Sequence, residues 1–261
     1  MDSSEVFATV CLCFFLTTFA DAQWTRSSGT SVQVCDYPSH KSYLALESDS
    51  AGGALLTWSD ERTGWSLFGQ KLTNDGIRVW DSSGVPLSDS TLAYESFLVN
   101  DGNGGVFIIW NFSADRLWYL RTNMQHVNSS DSRLWGGEGF NLLQQGLFHT
   151  RPSCCRDGSG GAIVMWTPGN DGLLQRFDSN GSALWPGAGI VYDTAMSNSN
   201  NVEAGLGLCA DRNGGAFLAY NKYVNSSVFT CVQAVKRDGS LRFGAGGVQL
   251  SSAQWYPSNF V

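Results

Sequence analysis

An all-β chain of repeated four-stranded antiparallel units is what the sequence predicts, and three observations predict it. A glycine-rich block recurs four times. SDSAGGALLTW, NDGNGGVFIIW, RDGSGGAIVMW and ADRNGGAFLAY end at Trp58, Trp110, Trp166 and Tyr220. The first glycines of their pairs, Gly52, Gly104, Gly160 and Gly214, are spaced 52, 56 and 54 residues apart. Past the N-terminal segment, no stretch keeps an amphipathic helical period free of interrupting glycines. Self-similarity at such a period marks stacked units. Four-stranded units of roughly 40–50 residues stack radially as the blades of a β-propeller.

The elements of one unit follow in order. A short, mostly apolar segment such as ESFLVN precedes the glycines and reads as the first strand. The Asp/Asn/Gly cluster is a tight hairpin turn, in which glycine supplies positive φ and Asn or Asp tolerates it. An apolar run rich in Val, Ile and Phe follows as the second strand. A second block supplies the third strand: FGQKLTNDGIRVW, LLQRFDSNGSALW and CVQAVKRDGSLRF end at Trp80, Trp185 and Phe243. They share Gln70, Gln175 and Gln233, and the looser second copy, ending at Trp135, places Arg121 at that point. Turns of the Asp-x-x-Gly type, such as Asp178 to Gly181, lead into a strand around the closing Leu-Trp pair. Third blocks, SSGVPL, GEGFNLL, GAGIVY and GAGGVQL, end the units. The repeats run over about residues 36–87, 88–143, 144–192 and 193–250. Residues 24–34 resemble the closing strand of a further copy and residues 254–261 its opening strand, an incomplete or split extra blade. The periodic tryptophans are expected to pack blade against blade.

These residues resemble a family of secreted β-propeller repeat proteins. Its tandem repeats have the form P-S-x-x-x-D-G-x-G-G-x-x-x-x-W, then D-x-R, then Q-R, then D-x-x-G-x-x-L-W and a closing G-V, and most members have no assigned activity. The resemblance covers residues 23–261. Pro152-Ser153 with Asp157 to Trp166, and Asp60, Arg62 and Gln70, match it best. Tyr220 stands for Trp, and the D-x-R pair is missing from the third and fourth copies.

The address is that of an exported protein. Val6 to Phe19 is almost wholly apolar, and Ala20-Asp21-Ala22 fits a small-x-small cleavage site. Residues 1–22 are therefore expected to be a signal peptide and 23–261 the propeller. The run is short for a bilayer span, which needs about 20 residues. No second span follows, although the n-region holds Asp2 and Glu5 and no Lys or Arg. Four sequons, at Asn111, Asn128, Asn180 and Asn225, are candidate glycosylation sites. Cys35, Cys154, Cys155, Cys209 and Cys231 remain after cleavage, an odd set without zinc-site spacing.

With strands ordered from the centre outward, the first-to-second and third-to-fourth turns share one face. The second-to-third loops and the links between blades share the other. The glycine-rich turns lack the following helix that a phosphate loop requires. Calcium on Asp101 and Asn103 would find few carboxylates there. The opposite face gathers Asp60, Glu61, Arg62 and Trp65 from the first loop, and Asp115, Arg116 and Trp118 from the second. His149 and Arg151 come from the link to the third blade. Charged and aromatic groups at a propeller mouth suit a polar ligand, a glycan or a protein segment, while Asp–Arg pairs also serve as internal braces.

A net charge of −7 and the lack of a basic block exclude a nucleic-acid partner. Three histidines and no G-x-S-x-G elbow leave no catalytic constellation, and no cofactor is implied. The expected function is a secreted binding module with its ligand on the second-to-third loop face. A carbohydrate-active hydrolase using two of Asp60, Glu61 and Asp115 stands beside it, as does a piece of a larger propeller.

Overall fold

The structure is a computed structural model that describes residues 31–89, 92–113, 120–142, 152–167, 171–194, 205–224, 227–251 and 254–255. Among the described residues it is a β-propeller arc of four antiparallel blades. The first holds β1 (Lys41–Ser48), β2 (Ala54–Asp60), β3 (Ser66–Leu72) and β4 (Val85–Pro86). The second holds β5 (Ala93–Asn100), β6 (Val106–Ser113), β7 (Leu120–Val127) and β8 (Phe140–Asn141). The third holds β9 (Ser153–Arg156), β10 (Ala162–Trp166), β11 (Gly172–Phe177) and β12 (Ile190–Asp193). The fourth holds β13 (Gly205–Ala210), β14 (Ala216–Val224), β15 (Ser227–Val235) and β16 (Val248–Gln249). The described part of the C-terminal segment, β17 (Gln254–Trp255), adds to this last sheet by pairing with Ser227–Val228 of β15.

The repeated glycine pair has two separate physical reasons. The first glycine of each pair takes φ between 84° and 91°, which favours glycine. The second sits against the end of the third strand, where a Cβ would collide with the carbonyl oxygen of Leu72, Val127, Phe177 or Val235. The aspartate before them closes the turn. Oδ1 of Asp49, Asp101, Asp157 and Asp211 each accepts hydrogen bonds from two backbone N–H groups, the second from Gly53, Gly105, Gly161 and Gly215. The glycine-rich block is scaffold in all four copies.

The glutamine of the second block is a staple. Oε1 of Gln70, Gln125, Gln175 and Gln233 accepts from the backbone N–H of Trp80, Trp135, Trp185 and Phe243, tying the third strand to the chain returning outward. In the second blade this residue is Gln125, opposite Ile108, and not Arg121, which lies opposite Phe112 and is exposed. Trp110 and Gln125 stand 15 residues apart, against 12 between Trp58 and Gln70, so a fixed count falls short of the glutamine. A second correction concerns the fourth strand. The Leu-Trp segments make only isolated bridges, such as Phe177 with Ala183 and Val235 with Leu241. The outermost strands are the closing blocks, which pair with the third strands.

Apolar burial is organised by junction. Leu55, Leu67 and Leu87 meet Val106, Ile108 and Trp110 between the first two blades. Val99, Phe107, Ile109 and Met124 meet Ala162, Val164 and Trp166 between the next two. Cys155, Ile163, Met165 and Leu174 meet Ala216, Leu218 and Tyr220 between the last two. The aromatic at the end of the second strand in the second, third and fourth blades therefore faces the preceding blade, and Trp110 is 0% exposed. Burying each such side chain removes roughly 150–250 Å² from water.

Candidate functional site

The first loop does not present its charged pair to solvent. Asp60 ends β2 fully buried. Its Oδ1 accepts from Ser39 Oγ at 2.6 Å and from the Arg62 backbone at 3.0 Å. Its Oδ2 accepts from Trp58 Nε1 at 2.9 Å and from the Arg62 guanidinium at 2.7 Å. That guanidinium also donates to the Ser83 carbonyl and lies 4.1 Å from the ring centres of both Tyr37 and Phe68. Burial would push the Asp60 carboxyl up, but the bonds from Arg62, Ser39 and Trp58 outweigh it and hold it well below the usual carboxylate range. Asp60 and Arg62 form an internal clasp, which corrects their reading as ligand contacts. The physical reason is that every acceptor site of the carboxylate already has a protein donor. Glu61 is exposed and Trp65 half-buried on the same turn.

A different set of residues converges just inside that loop. The inner strands of the first two blades both break register, β1 between Ser42 and Ala45, and β5 between Ala93 and Ser96. Such bulges re-aim side chains. They turn Tyr43, Leu44 and Glu95 toward one cleft of about 330 Å³, completed by Ser96 and Phe97. Tyr43 and Leu44 are 46% and 72% exposed. The Tyr43 and Tyr94 rings meet edge to face at 5.8 Å. Trp65 meets His40 in the same way at 5.3 Å.

Backbone strain gathers at the same place. Tyr43, Trp65 and Leu92 have φ of 52°, 72° and 57°. Left-handed φ in a non-glycine residue costs on the order of 1–3 kcal/mol and clusters at ligand sites. Neighbouring contacts hold it here. Leu92 N–H donates to the Gly64 carbonyl and Ala93 N–H to that of Trp65, so the first loop is tied to the start of β5. Ser59 Oγ donates to the Ala93 carbonyl, and the hydroxyls of Thr57 and Ser96 bond at 2.7 Å beneath the cleft. Sequence reasoning found Trp65 but missed Tyr43, Tyr94 and Glu95. The signal was the extra residue in KSYLALES and AYESFLVN, where strict alternation fails.

A second polar cluster, also missed, lies at the junction of the last two blades. Buried Asp193 accepts from Tyr220 Oη at 3.2 Å and pairs with Lys222 Nζ at 3.1 Å. Burial and the Asp193 charge push the Tyr220 hydroxyl well above its ordinary range. Lys222 follows Tyr220 by two residues, as Asp60 follows Trp58. Here the departure from tryptophan comes with a hydroxyl partner.

Asp115, Arg116, Trp118, His149, Arg151 and Asn225 lie outside the described residues, as do residues 1–22, which were expected to be a signal peptide. Asn128 and Asn180 stand on turns, whereas Asn111 is 2% exposed on β6 and accepts from Thr122 Oγ1. A glycan on Asn111 is incompatible with the folded blade. Asp101 offers a cation little. Backbone N–H groups of Asn103 and Gly105 and His126 Nε2 already occupy its oxygens. Burial pushes the Cys155 thiol up to about 12, which leaves it unreactive at neutral pH. Among the described residues no helix is long and apolar enough to cross a membrane.

No protein-family model and no curated protein matches the chain. Solved structures do. A GH43 endo-arabinanase from Bacillus licheniformis is similar over 84% of this chain and 83% of that one, with 13% identity and a TM-score of 0.45. A protein of unknown function from Dyadobacter fermentans is similar over 80% and 69%, with 10% identity and a TM-score of 0.48. An exo-β-1,3-galactanase from Phanerochaete chrysosporium is similar over 90% and 52%, with 12% identity and a TM-score of 0.42. At these identities and scores the likenesses assign no activity to this chain.

Proposed function

We propose that the protein is an exported β-propeller binding module that holds a glycan in the bulged cleft between its first two blades. The observation that carries this reading is the double bulge. Two independent register breaks aim an exposed tyrosine and a carboxylate into one cleft, and strained backbone holds the rim. Tyrosine rings offer an apolar face with a polar edge, which suits the mixed C–H and hydroxyl surface of a sugar. The Glu95 carboxylate is the acceptor offered to sugar hydroxyls. Hydrolysis would need a second carboxylate within roughly 5–10 Å of the first. Among the described residues lining the cleft, Glu95 is the one carboxylate.

A glycan array followed by calorimetric titration of the best oligosaccharide tests this reading. Tyr43→Ala is expected to weaken binding at least about tenfold, worth about 1.4 kcal/mol, without changing the melting temperature by more than a few degrees. Reducing-sugar assays on the same ligand should show no turnover. Binding undisturbed by Tyr43→Ala and Glu95→Gln together would place the ligand elsewhere.

A further inference from the structure

The second and third internal junctions share one pattern, with Val99, Phe107, Ile109, Met124 and Trp135 at the places described next for the third blade. The third blade turns Cys155, Ile163, Met165, Leu174 and Trp185 toward the fourth, all within one apolar cluster. Strand register puts Cys209, Phe217, Ala219 and Val232 at the same places in the fourth blade. Phe243 matches Trp185, since Gln233 and Gln175 accept from their respective backbone N–H groups. These five residues line an open apolar groove of about 530 Å³. Phe217 and Phe243 are 42% and 40% exposed. The fourth blade carries a finished junction face.

The opposite end of the arc carries the matching half. Leu98 and Leu208, on the inner strands of the second and fourth blades, pack into the junction with the preceding blade. Leu46, at the same register in the first blade, is 67% exposed. Beside it, residues 32–36 lie where the outermost strand of a preceding blade belongs. The Val34 carbonyl accepts from Gln70 Nε2. Asp36 pairs with Arg78 as Asp89 pairs with Arg133 at the next junction. Residues 32–34 read Val-Gln-Val, and the closing residues 248–250 of the fourth blade read Val-Gln-Leu.

We propose that these two ends are halves of one blade junction, completed between copies of the chain. The groove of the fourth blade takes the first blade of a second copy, head to tail. Residues 32–34 of that copy then replace residues 248–250 beside β15, an exchange between like segments. A second copy is favoured over the chain's own first blade because, among the described residues, no apolar cluster joins the fourth blade to the first. Two four-bladed arcs joined in this way close as one ring of eight blades, within the four to eight that propellers adopt. Closure satisfies both open faces at once and leaves no end for further growth.

Sedimentation velocity on the full chain tests the proposal, with Leu46→Asp on one face and Phe217→Asp on the other. Both side chains are exposed, and far-UV circular dichroism with thermal melts checks that each variant folds. Phe243→Asp is the alternative on the groove face. The wild type is expected to be a dimer, and each single variant is expected to dissociate at least about 100-fold more readily. Mixing the two single variants brings the unaltered groove of one to the unaltered first blade of the other, so mixed dimers should form. The double variant should stay monomeric and pair with nothing. A monomeric wild type overturns the proposal, as does a dimer that Leu46→Asp leaves intact, which would signify groove-to-groove pairing.

Discussion

Replacing Asp60 by asparagine keeps the size of the side chain and turns one acceptor oxygen into a donor. Oδ1 of Asp60 faces the hydroxyl of Ser39 and the backbone N–H of Arg62, and Oδ2 faces the indole N–H of Trp58 and the Arg62 guanidinium. Turned one way, the new NH₂ group meets the Trp58 indole and the Arg62 guanidinium, both donors; turned the other way, it meets the Arg62 backbone N–H and a Ser39 hydroxyl that must reverse to accept. The Arg62 guanidinium loses its counter-charge between two rings, with its side chain only 9% exposed. Breaking a buried ion pair from one side costs about 3–5 kcal/mol, a large part of the roughly 5–15 kcal/mol that stabilises a folded domain. For a chain of this size each kcal/mol moves Tm by about 2–4 °C. Asp60→Asn should therefore lower Tm by roughly 6–20 °C, with a matching shift in urea titrations followed by tryptophan fluorescence. Arg62→Met should cost a similar amount. The double variant should lose less than the sum of the two, by about 0.5–3 kcal/mol. The folded carboxyl titrates below the unfolded value of about 3.9. Its contribution is thus complete above that value and fades as pH falls below it. The stability gap between wild type and Asp60→Asn should narrow between pH 5 and pH 2. A cost under about 1 kcal/mol at pH 7, or a gap that does not change with acid, would refute the clasp.

Further predictions concern single positions of the blades. Gln125→Leu strands the N–H groups of His126 and Trp135 and the carbonyl of Gly136, so it should cost about 2–4 kcal/mol. Arg121→Ala, at the exposed position, should change stability by less than about 0.5 kcal/mol in the same urea titration. Trp110→Ala empties a fully buried site between the first two blades and should cost about 3–5 kcal/mol. Tyr220→Phe removes one hydroxyl from Asp193, which keeps Lys222, and should cost about 1–2 kcal/mol by thermal melting.

Much of the blade was legible because its signals are local. The aspartate that closes each hairpin reaches N–H groups two and four residues on, and the glycine pair serves turns within the same block. A repeat multiplies such signals, so one ambiguous glycine-rich loop becomes four equivalent hairpins. The glutamine staple was legible in three copies and slipped in the second. Its partner lies ten residues away across a turn, and a longer span of sequence after Trp110 moved the count.

The sequence by itself determined the repeat, its period, the hairpin chemistry and the aromatic that faces the preceding blade, because each depends on contacts within one unit or on a position recurring in every unit. Tertiary structure alone decided which charged residues are internal. Asp60 and Arg62 look like surface groups on a loop. The segment carrying Tyr37 and Ser39, some twenty residues earlier, folds over them and supplies the donors and the ring that bury them. It also decided where an open cleft lies, since a bulge is a mismatch between two strands and neither strand records it alone. The unmatched faces at the two ends of the arc are of the same kind. A junction face is built from three strands at once, and whether it is covered depends on what the next blade's place holds.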